Sequence, residues 1–216
     1  MPDASARSLR ASLRLVALLL LPAALLAAMP TDSELRALLL LDREQLFAGE
    51  LWRAVTGHWV HLSAGHFFWD AATFALLGVL CDRADRRAFL TTIACSAVAV
   101  SLAVLLARPD LAFYGGLSGV DSALFGMLAV TMLCRGAAAR DRVGVLASAA
   151  LICAFASKTA HEWLHDAAVF VSADDALSNV PIAHVVGFLV GGVVAGVRSL
   201  GVPPRPADVT GVHAAT

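Results

Sequence analysis

Gly115-Gly116-Leu117-Ser118-Gly119 opens an apolar run that continues through Val130. Glycines around a single serine let another backbone approach its hydroxyl, so Ser118 is a candidate nucleophile in need of a base. The candidate base is His184, in Pro181-Ile182-Ala183-His184-Val185-Val186-Gly187-Phe188-Leu189-Val190-Gly191. It too is a polar side chain near the start of a long apolar run, and that run carries glycines four apart. Whether the two runs are neighbours decides both the fold and the chemistry.

Composition sets the surroundings. A chain of 216 residues has the length of one domain, and 59% hydrophobic with 15% charged is too apolar for an ordinary soluble one. The expected class is a polytopic, all-α membrane protein. A net charge of −1 and the lack of basic clusters interleaved with aromatics exclude a nucleic-acid binder, leaving the lipid bilayer as the partner. Cys81, Cys95, Cys134 and Cys153 show no paired metal spacing and read as small buried apolar residues. No cofactor is expected.

Residues 1–14 are polar and carry Arg7, Arg10 and Arg14, and are read as a cytoplasmic segment; Leu15 to Met29 is almost wholly apolar. No small-x-small cleavage site precedes Pro30, so this run is read as a retained span rather than a signal peptide. Thr31 to Gly57 mixes charges with Leu38-Leu39-Leu40-Leu41 and the anchors Phe47 and Trp52, as an interfacial external loop does. Five further runs follow: Leu62 to Leu80, Ala88 to Leu106, Leu117 to Cys134, Val143 to Ala156 and Val180 to Val197. Each approaches the roughly 20 residues that cross a bilayer, the fifth span with help from its flanks. The expectation is a six-span bundle over 15–199 with a cytoplasmic tail over 200–216.

With the N-terminus inside, the cytoplasmic pieces hold eleven of the 16 basic residues, among them Arg83, Arg86, Arg87, Arg135, Arg140 and Arg142. The positive-inside rule therefore puts both termini in the cytoplasm. Ser118, His184, His61 and His66 then enter three spans from the same outer side, each within roughly 10 Å of the boundary at about 1.5 Å of rise per residue. Polar groups at matched depth on three helices predict one internal site. A stripe of Ala183, Gly187, Gly191 and Ala195 beside His184, facing Gly119, Ala123 and Gly126, predicts the close helix approach that a Ser–His hydrogen bond requires.

Gly116-Leu117-Ser118-Gly119, Ala183-His184 followed by Gly187 and Gly191, and His61 with His66 together resemble the rhomboid family of intramembrane serine proteases. Trp52-Arg53 is similar to that family's first external loop, and the likeness spans roughly residues 50–197. The short chain, the Gly57-His58-Trp59-Val60-His61-Leu62 opening and Lys158 with Glu162 resemble the rhombosortase branch. That resemblance implies a bacterial inner-membrane protease, open to the periplasmic side. Its transmembrane protein substrates would be exported proteins, cut near a C-terminal tail of a Gly-Gly motif, an apolar helix and a basic end.

The resemblance also implies roles. Ser118 attacks the scissile carbonyl and His184 carries the proton, as a dyad with no acidic third member. Gly116 and Gly119 admit the substrate strand, the Ser118 N–H faces the oxyanion, His66 adds a side-chain donor and His61 ties the first loop to the second span. Two residues depart from the family pattern. Asp70 replaces an Asn and is read either as part of the oxyanion hole or as polar packing, and Ser122 stands where an aromatic ring is usual beside the histidine. Asp121, ionisable within a span, is a functional suspect without a role.

Rival readings exist. His161-Glu162-Trp163-Leu164-His165 fits the H-E-x-x-H zinc pattern, with Asp166, Asp174 or Asp175 as third ligand. Against it, Lys158 lies at i,i+4 to Glu162 and is placed to occupy the would-be general base. A silent rhomboid-like protein that binds helices without cutting them would show in the Asp70 and Ser122 departures. A transporter fits less, since the spans show no inverted repeat. Thr31 to Gly57 and Asp166 to Val180 are the expected gate and cap for a substrate helix whose outer end unwinds.

Overall fold

The structure, a computed structural model, describes residues 4–165 and 180–200. The tail beyond residue 200, most of the expected cap and the aspartates at 166, 174 and 175 lie outside the described residues. Six helices are long and apolar enough to cross a membrane, as the sequence predicts: α1 (Ala4–Ala27), α5 (Ala64–Ala84), α6 (Arg86–Ala107), α7 (Ser118–Ala139), α8 (Arg142–His165) and α9 (Pro181–Leu200). Between α1 and α5 come α2 (Glu34–Leu39), β1 (Leu41–Asp42), α3 (Arg43–Phe47), α4 (Arg53–Thr56) and a 3-10 turn at Gly57–Trp59; β2 (Phe113–Tyr114) precedes α7. The protein is a multi-pass, all-α membrane bundle.

The helices outrun the apolar runs, because backbone hydrogen bonding continues past the last apolar residue until something stops it. α1 takes up Arg10 and Arg14, and α8 extends to His165, which puts the whole Lys158-to-His165 segment on one helix. At the end of the bundle remote from Ser118, α5 gives way to α6 at Asp85, whose carboxylate accepts the Ala88 N–H at 3.0 Å and pairs with Arg198 of α9 at 2.8 Å. Asp82 pairs with Arg86 at 2.7 Å and accepts from Ser12 of α1, so four helices are tied there. Arg140, in the left-handed region at φ 55°, ends α7.

At the Ser118 end the first loop folds on itself. Arg36, 5% exposed, donates to the carbonyls of Leu26 and Met29 at the end of α1 and to the His61 carbonyl. Arg53, equally buried, does the same for Ala37 and Leu40 at the end of α2 and pairs with Glu50 at 2.6 Å. Both guanidiniums satisfy carbonyls that helix ends leave open. β1 and β2 pair antiparallel, Leu41 with Tyr114 and Asp42 with Phe113, which ties this loop to the segment just before Ser118.

α7 is the central helix, packed against α5, α6, α8 and α9. Its Val120, Leu124 and Met127 are fully enclosed with Phe74, Cys81 and Phe89. α8 leans mainly on α7 and meets α9 at few points.

Candidate active site

Small residues set the α7–α9 contact. A Cβ placed on Gly187 would collide with the carbonyl of Gly119, one on Gly191 with the carbonyl of Ala123, and one on Gly126 with the carbonyl of Phe188. Backbone lies on backbone, with no room for even a methyl group. The Gly119–Gly187 and Ala123–Gly191 contacts share one offset, so the two helices run parallel and in register from their N-terminal ends. Ser118 precedes Gly119, and His184 stands one turn before Gly187. Both therefore belong to the outermost turn of the seam, Ser118 partly exposed and His184 buried.

The loop ahead of Ser118 is shaped by Gly116. Its φ of 109° favours glycine, and a Cβ there would stand 2.5 Å from Cε1 of His66. The Gly116 N–H reaches the Gly57 carbonyl at 3.3 Å. One oxygen of Asp70, Oδ2, accepts the Leu117 N–H at 2.7 Å and faces Nε2 of His61 at 3.1 Å and Nε2 of His66 at 3.2 Å. Asp70 thus fastens the backbone immediately before Ser118 to both histidines. The Leu117 N–H is occupied, and Ser118 begins α7, where the first-turn N–H groups have no partner within the helix.

His58 belongs to this arrangement, although the sequence offered it only as part of the Gly57-to-Leu62 opening. Fully buried, it places Nε2 2.8 Å from the Ala97 carbonyl and 3.1 Å from Ser101 Oγ on α6, and Nδ1 3.4 Å from the Gly116 carbonyl. Its ring meets Tyr114 edge-on at 5.7 Å. Burial pushes its pKa below the ordinary 6.5, although the Ala97 and Gly116 carbonyls pull the other way. No spacing rule marks a turn histidine as the brace of a loop more than fifty residues on.

On the far side of His184 stands α8. Nδ1 lies 3.0 Å from Oε2 of Glu162, a residue 2% exposed, and Lys158 Nζ lies 2.8 Å from Oε1 of the same carboxylate. The Lys158–Glu162 pair at i,i+4 is the one the sequence suggests. The partner that sequence reading missed is His184, because the expectation of a dyad without an acidic third member left Glu162 to the zinc pattern. A turn deeper, Phe155 stacks on Phe188 at 4.6 Å and on Phe125 at 5.5 Å, closing the floor between α7, α8 and α9.

The zinc reading fares less well in this geometry. The carboxylate it needs as a free base is held by Lys158 and His184, while His161 and His165 are exposed, their rings 4.4 Å apart. Among the described residues no three His, Cys, Asp or Glu side chains converge on a metal position. Ser122 donates to the Ser118 carbonyl at 2.8 Å, an ordinary helical back-bond. Asp121 is buried with neither carboxylate oxygen hydrogen-bonded among the described residues.

A search of curated proteins finds no match to the chain. The rhomboid domain, by contrast, matches residues 48–200, from the end of α3 through α9 and including every side chain placed around Ser118. A match over that much of the sequence, on six membrane-crossing helices, means that the chain belongs to the rhomboid family, which is in general one of intramembrane serine proteases.

Proposed function

We propose that Ser118 is the nucleophile and His184 the general base of a peptidase that cuts transmembrane helices near their outer end. The observation that carries this reading is the seam of Gly119, Ala123, Gly187 and Gly191, which brings the outer turns of α7 and α9 into backbone contact. His184 turns Nδ1 to α8, so Nε2 is the nitrogen on offer to Ser118. Attack forms the Oγ–C bond as the hydroxyl proton passes to Nε2. Collapse of the tetrahedral species breaks the C–N bond and returns that proton to the leaving amine. Water then attacks the acyl ester, giving its proton to Nε2, and Ser118 leaves with it. The Ser118 N–H stabilises the oxyanion, and His66, which stands over Gly116 and faces Asp70 through Nε2, donates to it from Nδ1 when the ring carries both protons.

The arginines of the α5–α6 and α7–α8 turns favour a cytoplasmic position for that end of the bundle, and the rhombosortase likeness favours a bacterial inner membrane with the Ser118 end toward the periplasm. The rhombosortase-like Gly57-to-Leu62 opening and the Lys158–Glu162 pair favour C-terminal tails with a Gly-Gly motif, an apolar helix and a basic end as substrates. Helix-breaking residues at the cut suit the chemistry, since a carbonyl bonded within a helix is closed to attack.

The test is co-expression with a tagged substrate bearing such a tail, reading tail release on a blot. Ser118→Ala and His184→Ala abolish release, whereas His161→Ala and chelator leave it intact. Release that survives Ser118→Ala but stops with His161→Ala or chelator would replace the serine mechanism with the zinc one.

A further inference from the structure

Glu162 is a buried charged group beside His184, and the chemistry above does not use it. It projects from α8 toward α9, its Oε2 3.0 Å from Nδ1 of His184 and its Oε1 2.8 Å from Lys158 Nζ. A carboxylate accepts and cannot donate, so this contact holds the imidazole proton on Nδ1 and leaves the lone pair on Nε2, the form a base for Ser118 needs. Among the described residues no aromatic ring stacks on His184, and Ser122 turns its hydroxyl back to the Ser118 carbonyl. The hydrogen bond at Nδ1 is therefore what orients the ring. A buried carboxylate persists only when paired, and Lys158 pairs with the oxygen remote from His184, which turns the other one toward it. Lys158 Nζ itself stands 3.3 Å from Nδ1. Two proton donors at that distance are tolerable because the carboxylate accepts from both.

We infer that Glu162, aimed by Lys158, is a positioning residue that makes the site a Ser118–His184–Glu162 triad whose acid is supplied by α8. The fit to H-E-x-x-H is then incidental, with the glutamate serving a histidine on another helix. The inference rests on the serine reading above, and its test separates the two.

The full-length protein in detergent is reacted with a fluorophosphonate, and the maximal labelling rate and the half-saturating concentration are measured separately. Wild type labels and Ser118→Ala does not, as the serine reading demands. In Glu162→Gln the amide keeps its oxygen toward the Lys158 ammonium and turns its NH2 to Nδ1, forcing the wrong tautomer. The maximal rate falls about 100-fold with the half-saturating concentration unchanged. Removing Lys158 as well, in Lys158→Met with Glu162→Gln, frees the amide oxygen to accept from Nδ1 and restores part of the rate. The double variant also leaves no buried charge unpaired, so it carries the test even where the single one folds poorly. Wild-type rates in both variants, or a double variant no faster than the single, would overturn the triad while leaving the nucleophile in place. A wild type that does not label, or a Ser118→Ala that does, would remove the serine reading and the triad together.

Discussion

His184 is held on two sides by opposite means. Toward α7 the contact is made by missing atoms: Gly187 and Gly191 lie against the carbonyls of Gly119 and Ala123, and any side chain would part the helices. Toward α8 the helices touch at few points, and one buried carboxylate spans the gap to Nδ1. In the proposed mechanism the first contact sets how far Ser118 is from His184, and the second sets which nitrogen faces it. Position is carried by packing, tautomer by a single charge.

Breaking the packing side has the largest expected effect. Gly191→Ala drives a methyl group into the Ala123 carbonyl, costs about 1–3 kcal/mol as an overpacked contact, and cuts tail release about 100-fold, since an ångström of misplacement is enough. Thermal unfolding in detergent and the cleavage blot measure the two. On the same helix Gly196 has nothing within 4 Å of an added Cβ. If Gly191→Ala is as stable and as active as Gly196→Ala, the seam does not hold the site.

A middle effect concerns the loop that the packing presents. Burial lowers the pKa of His58 below 6.5, so the fold favours its neutral form. Its contribution to stability is then full above 6.5 and is lost as pH falls through the lowered folded value. The melting temperature of the wild type should fall on acidification below 6.5, and His58→Gln, which keeps a donor for the Ala97 carbonyl, should flatten that dependence. An unchanged pH dependence in the variant would assign the titration elsewhere. The smallest effect is expected of Gly196→Ala, a gain of about 0.5–1 kcal/mol from helix propensity with activity unaltered.

The same contrast explains what could be read beforehand. Apolar run lengths and the arginines between them specify six spans, because hydrocarbon admits only helices of that length here. The recurrence of Ala183, Gly187, Gly191 and Ala195 forecast a close approach, since small residues at one spacing have one geometric consequence. The α8 side was not legible. α8 is apolar around most of its circumference, so nothing in its sequence says which face turns to α9, and Glu162 and His184 are linked only by that rotation. The pairing of Leu41 with Tyr114 was hidden for a related reason, a two-residue strand having no period to detect. Asp70 was visible as a departure, but its hold on the Leu117 N–H appears only once the Gly116 turn is in place.

The most direct test of the central claim, that Ser118 is activated by His184 across the α7–α9 seam, is to map the fluorophosphonate adduct by peptide mass spectrometry in wild type and His184→Ala. The account predicts a single adduct on the peptide carrying Ser118 in the wild type and none in His184→Ala. An adduct on another residue, or one on Ser118 that forms equally fast without His184, would contradict it.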